Sequence, residues 1–312
     1  MTGLCPHISI VTTVYKSQPF LEEFIQLCLK ALAAIQCTDF EIIFVNDGSP
    51  DNSLECLIRK KAQISQIIIL DLSRNFGHHY AAMAGLNYAR GDYVFMIDCD
   101  LEISPLILNN FYEVLTENNY DVVYGYQERR KGDFWEKYSG QLFWRAFNIL
   151  SETKLPLCIV TERLMTRPYV KSLLTLGDRN LFLGGMMHWA GFNQVGIPVT
   201  KGQRKGISTY SFAKRVQLMV EAISSFSSFP LRLLFNIGFL ITLFTFIWGT
   251  SLIILKLISP ERFLLGYVSV VVIILFSLGL ILMSLGILGV YLSKIFNQVQ
   301  SRPLYIIKHI FK

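Results

Sequence analysis

Short apolar runs alternate with segments of helical period from Ile8 to about Tyr126. The runs are Ile8–Val14, Phe40–Val45, Ile67–Leu72, Tyr93–Ile97 and Val122–Tyr126. Between the first two, Leu21, Phe24, Ile25, Cys28, Leu32 and Ile35 recur at the spacing of one helix face. Similar helical stretches cover Leu54–Ala62, His78–Arg90 and Pro105–Glu117. Strands that are apolar at nearly every position are buried on both faces, so the pattern predicts an α/β domain whose mostly parallel sheet carries helices on either side. In such sheets ligands bind beyond the carboxyl ends of the strands. The polar motifs fall there: after Val45, after Leu72 and after Ile97.

Residues 127–200 read as further helices and a short strand, followed by the basic segment Lys201–Lys205. In Ser208–Phe229, the apolar Phe212, Val216, Met219 and Ile223 share one helical stripe, with Lys214, Arg215, Gln217 and Glu221 elsewhere around it. That pattern fits an amphipathic helix lying in a membrane interface, or a surface helix of the globular domain. Leu233–Leu255 and Phe263–Leu292 then carry no charged residue. Each exceeds the roughly 20 apolar residues that a helix needs to cross a bilayer core, so two transmembrane helices are expected. The short link Lys256–Arg262 makes them a hairpin. Arg204, Lys205, Lys214, Arg215 and Arg232 precede the hairpin, while Lys294, Arg302, Lys308 and Lys312 follow it without an acid. By the positive-inside rule both chain ends face the cytoplasm. The expected organisation is therefore a catalytic-type domain over 1–205, an interfacial helix over 206–230, two spans within 231–292 (about 233–255 and 263–292) and a basic cytoplasmic tail over 293–312.

The net charge of the 312-residue chain is +6. A basic balance can serve nucleic acid, an acidic ligand or an anionic membrane. The chain has no long Lys/Arg run, which argues against nucleic acid. The six cysteines are scattered without a CxxC pair, as reduced cytosolic thiols are. Met1–Pro6 lacks the charged-then-apolar run of a signal peptide and leads directly into the first strand. Gly279, Gly286 and Gly289 offer small-residue faces for self-association into a homo-oligomer.

The sharpest chemical signal is Asp98-Cys99-Asp100 at the end of the run Tyr93–Ile97. Carboxylates spaced i, i+2 on a turn can face one hard cation, Mg²⁺ or Mn²⁺, that keeps positions open for phosphate oxygens. Such an ion neutralises charge that builds on a diphosphate leaving group. Glu102 stands two residues on, as a third ligand. In Asn46-Asp47-Gly48-Ser49, Gly48 supplies a turn. Asp47 either accepts hydrogen bonds from a base or ribose, or caps the helix that starts near Asp51. In Arg74-Asn75-Phe76-Gly77, Arg74 is either a forked contact for a diphosphate oxygen or a solvated surface cation. His78 and His79 begin a helix, where adjacent side chains diverge and do not share a metal.

Val14-Tyr15, Asn46-Asp47-Gly48-Ser49, Arg74-Asn75-Phe76-Gly77 and Asp98-Cys99-Asp100-Leu101-Glu102 occur in the order seen in family 2 glycosyltransferases of the GT-A fold. Arg204-Lys205-Gly206-Ile207-Ser208-Thr209-Tyr210, and the stretch Ser224 to Arg232 before the first span, resemble the polyprenyl-phosphate glycosyltransferase branch. Dolichol-phosphate mannose synthases and bactoprenol glucosyltransferases belong to that branch. The resemblance covers essentially the whole chain. It implies a membrane-bound, inverting, metal-dependent transferase that moves a sugar from a UDP- or GDP-linked donor to a polyprenyl phosphate. It also implies that Tyr15 and Asp47 contact the base, that Arg74 lies near the donor, and that Asp98, Asp100 and Glu102 hold metal and diphosphate. Arg204, Lys205 and Ser208 would receive the acceptor phosphate, although such cations also serve plain attraction to anionic lipids.

The chain departs from the family pattern at several places. Thr13 stands where Pro is usual, Ser17 where Glu is frequent and Thr209 where Lys is usual. Within Val160-Thr161-Glu162-Arg163-Leu164-Met165, Thr161 replaces an acidic residue that often serves as base. Its neighbour Glu162 is the substitute, and with Asp100 forms the expected catalytic pair. A phosphate acceptor is already largely anionic at pH 7 and needs a base less than a hydroxyl does. Two other readings remain: transfer to a hydroxyl of a lipid-linked glycan, and a non-catalytic nucleotide-binding membrane protein.

Overall fold

The structure, a computed structural model, describes residues 7–127, 159–202, 229–258 and 267–312. Its first unit is built on one eight-stranded sheet. In chain order the elements are β1 (Ile8–Val14), α1 (Leu21–Ala34), β2 (Phe40–Asn46), α2 (Ser53–Lys61), β3 (Ile67–Leu72), α3 (His78–Tyr88), β4 (Tyr93–Met96) and α4 (Ile107–Glu117). There follow β5 (Val122–Tyr126), β6 (Ile159–Thr166), α5 (Arg167–Thr175), α6 (Leu183–Trp189), β7 (Gln194–Pro198) and, after a long excursion, β8 (Ile307–Phe311). The strand order is β7-β5-β6-β4-β1-β2-β3-β8. β4, β1, β2 and β3 are mutually parallel, as the continuous apolar runs require, and β7 runs parallel to β5. The sheet is nevertheless mixed. β6 is antiparallel to both β4 and β5, and β8 is antiparallel to β3.

Both faces of the central strands are buried. On one face Ile8, Ile10 and Phe44 join Phe24 and Cys28 of α1 in the core, with Phe24 edge-on to Phe44 at 6.0 Å. Phe95 of β4 and Phe111 of α4 meet in the same way at 6.2 Å. Side chains of this size contribute about 1.5–3 kcal/mol each when fully buried. On the other face α3 comes close because Gly85 has no side chain: a Cβ there would lie 2.4 Å from Val11 Cγ1. This close approach sets α3, and hence His78 and His79 at its start, against the carboxyl ends of β1 and β4.

The C-terminal segment differs from the expected tail. Ile307–Phe311 is strand β8, and the Ser73 N–H donates to the Ile306 carbonyl at 2.9 Å, just before the 74–77 turn. Asn87 Nδ2 donates to the Tyr305 hydroxyl at 2.9 Å. A short edge strand with the alternating pattern IKHIF gives little signal of its own in a sequence.

The second unit contains α7 (Phe229–Ile258) and α8 (Tyr267–Gln300), of 30 and 34 residues. At 1.5 Å per residue they are about 45 and 50 Å long. Their described side chains are largely exposed and apolar, among them Phe235, Leu240, Trp248, Ile273 and Leu292. Among the described residues one stretch, Leu280–Gln300, is long and apolar enough to cross a bilayer, where the sequence led us to expect two. The expected interfacial helix lies almost wholly at 203–228, outside the described residues.

Candidate active site

The turn after β4 carries the carboxylates. Cys99 points into the core and donates its thiol proton to the Thr13 carbonyl at 3.1 Å, so Asp98 and Asp100 on either side of it turn outward. Burial pushes the Cys99 thiol up to about 12, which makes it an anchor rather than a nucleophile. Leu101 adopts φ +60, a left-handed conformation that a branched side chain rarely takes, and so closes the turn sharply. The Glu102 N–H then donates to Asp100 Oδ1 at 3.0 Å. Burial, helped by the neighbouring Asp98 and Glu102 charges, raises the Asp100 carboxyl above its ordinary value.

Glu102, the third carboxylate of the motif, is engaged by a cation from a remote segment. Its Oε2 accepts from Lys201 Nζ at 2.8 Å. Among the described residues no group of three His, Cys, Asp or Glu side chains assembles into a metal site. Asp98 and Asp100 by themselves still fit a hard divalent ion. Mg²⁺ is commonly held by one or two carboxylates, with water and substrate phosphates completing the octahedron. Thus the two-carboxylate part of the expected ligand set has the right chemistry, while Glu102 braces the turn through Lys201. Against the attractions of Glu102, burial fails to lower the Lys201 ammonium, and its pKa is raised.

His78 closes one side of the turn. Its Nδ1 shares a 2.9 Å hydrogen bond with Thr13 Oγ1, and its Nε2 lies 3.7 Å from Asp98 Oδ1. Thr13, noted as a departure from the family pattern, thereby gains a partner. His79 points elsewhere, its Nδ1 against the Leu181 carbonyl at 3.2 Å, and burial lowers its pKa. The divergence expected for adjacent helical residues is seen.

β6 places Glu162 beside this turn. It is 3% exposed, and its Oε2 is buried without a hydrogen-bond partner. Burial, and secondarily the Asp98 charge, push its carboxyl up to about 7. A buried carboxylate with that affinity for protons suits a general base. Successive strand residues face opposite sides. Thr161 and Arg163 therefore share the face of Met96, which pairs with Arg163, while Glu162 and Leu164 share the other.

The nucleotide-side residues are placed less uniformly. Tyr15, just after β1, is 46% exposed, and Lys16 Nζ stands 5.6 Å from the centre of its ring. Asp47 is 2% exposed, and both of its oxygens are taken: Oδ1 by the Phe76 N–H at 2.7 Å and Oδ2 by the Gly77 N–H at 2.9 Å. The sequence left two openings, base contact and capping of the following helix, and the hydrogen bonds seen are not those of the helix near Asp51. Asp47 instead caps the turn that starts α3. Gly48 is required there, since with φ +60 a Cβ would lie 2.6 Å from the Asn75 nitrogen. Arg74 is exposed and folded back, with Nη1 on the Asn75 carbonyl at 3.0 Å and its guanidinium 4.0 Å from the centre of the Phe76 ring. Arg204, Lys205 and Ser208 lie outside the described residues.

A cleft of about 320 Å³ opens between the start of α3, the start of β6 and α6. Its polar walls include His78, His79, Thr161, Arg163 and Lys201, its apolar ones Met96, Phe182 and Met187, and among the described residues no Asp or Glu lines it. The sequence marked Lys201 only as part of a basic run and Arg163 not at all as a site residue. Both become visible through contacts or pairings that span distant segments.

Comparisons with known proteins agree with this architecture. Residues 9–174 match the family model described as Glycosyl transferase family 2. A Mycobacterium tuberculosis protein with a provisional glycosyltransferase name is 38% identical over 97% of this chain and 88% of its own length. The bactoprenol glucosyl transferase of Shigella phage SfII is 32% identical over 96% of this chain and 97% of its own length. Among solved structures, the mannosyltransferase PcManGT of Pyrobaculum calidifontis, in complex with GDP-Man and Mn²⁺, superposes with a TM-score of 0.50 at 16% identity. That match covers 70% of this chain and 63% of PcManGT, and it shows the common fold.

Proposed function

This chain belongs to glycosyl transferase family 2, and from that premise we propose that it transfers a sugar from a nucleotide diphosphate donor to a polyprenyl phosphate, with inversion, at the cytoplasmic face of a membrane. The observation that carries the reading is the outward-facing pair Asp98 and Asp100, set beside a cleft whose charged walls are cationic. The near full-length relatives named bactoprenol glucosyl transferase support the lipid acceptor.

In this reading Asp98 and Asp100 hold Mg²⁺ or Mn²⁺, which when bound supplies charge neutralisation at the departing nucleoside diphosphate. Tyr15 offers its exposed ring to the base, while Asp47 fixes the 76–77 backbone and so the start of α3. Glu102 and Lys201 keep the carboxylate turn in shape. The acceptor phosphate attacks the anomeric carbon opposite the leaving group, so that binding strength is spent on orientation. Such an acceptor is already an anion and makes little demand on a base. Arg204, Lys205 and Ser208 would receive it, cations suited to an anionic lipid headgroup.

The chain leaves the sheet after β7 and re-enters it at β8. A membrane crossed by α8 must therefore be crossed a second time, and α7 has the length for it. This parity supports the two spans and keeps 301–312 on the same side as the catalytic unit. Flanking Lys and Arg support the cytoplasm as that side.

Glu162 favours one second reading. A buried carboxyl with a pKa near 7 is what a hydroxyl acceptor on a lipid-linked glycan requires. One experiment separates the two. Reconstituted protein is given a panel of nucleotide sugars with either polyprenyl phosphate or a glycolipid, and the lipid fraction is read by mass spectrometry. A hexosyl polyprenyl phosphate is the expected product. Turnover with the glycolipid alone overturns the phosphate acceptor.

A further inference from the structure

We propose that Arg163 is a phosphate-binding residue, which takes a substrate phosphate oxygen at the floor of the cleft. The inference rests on the transferase reading above and adds to it a ligand contact that the motifs do not reveal. Arg163 is 4% exposed, yet it is among the residues that line the cleft. Its Nε donates to the Thr161 carbonyl and its Nη2 to the Val160 carbonyl, both at 3.2 Å. A guanidinium has five N–H donors, and these two contacts leave most of the fork unused. Among the described residues no carboxylate stands within 4.0 Å of it.

A cation withdrawn from water without a carboxylate in direct contact is costly, and an anionic ligand in the cleft would offset that cost. Burial presses on this guanidinium and lowers its pKa, only partly opposed by Tyr169, Glu162 and Tyr124 nearby, and arginine remains charged at any physiological pH. Holding two strand carbonyls does not require a guanidinium, since an amide or ammonium donates to carbonyls as well. What the planar fork adds is bidentate geometry matched to phosphate.

The surroundings select the same ligand. Lys201 and the two histidines share the cleft with Arg163, whereas Glu162 of the same strand faces the opposite side. Phe182, Leu183 and Met187 give an apolar wall that suits a sugar face or an isoprenoid. The phosphate is either the donor's diphosphate or the acceptor's monoester. Both have the same recognition chemistry, and the assay separates them.

The test uses the full chain in lipid nanodiscs with chelator, so that binding through a divalent ion is absent. Thermal unfolding is titrated with inorganic pyrophosphate and, separately, with farnesyl phosphate, for wild type, Arg163→Gln and Arg163→Lys. At least one ligand is expected to stabilise wild type, and its half-saturating concentration should rise about tenfold or more in Arg163→Gln, the loss of one charge-assisted contact. Arg163→Lys should fall between. Dependence seen with pyrophosphate assigns the donor, and dependence seen with farnesyl phosphate assigns the acceptor. A folded Arg163→Gln protein with wild-type half-saturation for both ligands overturns the proposal, as does a wild type that responds to neither. If Arg163→Gln shows no cooperative transition, Arg163→Lys decides by the same criterion. Wild type that binds phosphate through Arg163 but transfers no sugar would remove the proposed function and leave this site standing.

Discussion

Asp47 separates a scaffolding role from a nucleotide contact. Replacing it with alanine removes the acceptor for the Phe76 and Gly77 N–H groups, which sit 2.7 and 2.9 Å from its oxygens. A buried donor left without a partner costs about 1–3 kcal/mol. Phe76 and Gly77 are only half-buried, so water recovers part of that, and a total of about 2–3 kcal/mol is expected. For a unit of this size each kcal/mol shifts Tm by about 2–4 °C. Asp47→Ala should thus lower the unfolding temperature of the catalytic unit by about 5–10 °C. Asp47→Asn, which keeps one acceptor but faces an amide NH₂ toward the other N–H, should lose a similar or slightly smaller amount. Scanning fluorimetry of the detergent-purified full chain, with and without nucleotide, reads both. An unchanged Tm combined with a raised KM for the donor would refute the scaffolding argument and restore Asp47 to the base.

Other consequences follow from single features. Glu162, whose pKa is raised from 4.5 to about 7, binds a proton in the folded state that it has lost in the unfolded one between those values. Its contribution is therefore most favourable at low pH and declines as pH rises from 4.5 through 7, by at most about 3 kcal/mol. In chelator, Glu162→Gln should flatten the fall of Tm between pH 5 and 8, and a variant curve parallel to wild type would contradict the burial cause. Gly48→Ala forces a Cβ to within 2.6 Å of the Asn75 nitrogen at φ +60, and should destabilise by about 2 kcal/mol or more, read as a lower Tm or loss into the insoluble fraction. A chain ending at Gln300 lacks β8 and leaves the Ser73 N–H and the β3 edge unpaired, so faster proteolysis at residues 73–77 is expected than in the full chain. Equal cleavage rates would show that β8 does not order that turn.

The parts of the fold legible in the sequence are those buried on both faces. Ile8–Val14, Ile67–Leu72 and Val122–Tyr126 coincide with observed strands because an interior strand has no polar side to interrupt it. The helices beside them were visible through their apolar stripes, with ends displaced by a residue or two. β8 was hidden because an edge strand alternates and its partner β3 lies more than 200 residues earlier. The site divides in the same way. Asp98 and Asp100 are local, and a turn between two neighbouring residues can be read from spacing. The engagement of Glu102 by Lys201, 99 residues away, depends on how remote loops meet. So does the occupation of Asp47 by the backbone of Phe76 and Gly77. Neither is encoded in any short window of residues, and each gives a protein partner to a side chain that the sequence offered to a ligand.

Since β8 follows both long helices in the chain, the ribosome makes it after them. Segments made earlier fold first, so β1 to β3 wait with an open edge while α7 and α8 emerge. The strand that borders the Ser73 backbone arrives only once the helices have been placed. Ordering of the turn after Ser73 therefore follows synthesis of α7 and α8, so a nascent chain stalled before residue 307 carries an unfinished sheet edge beside that turn.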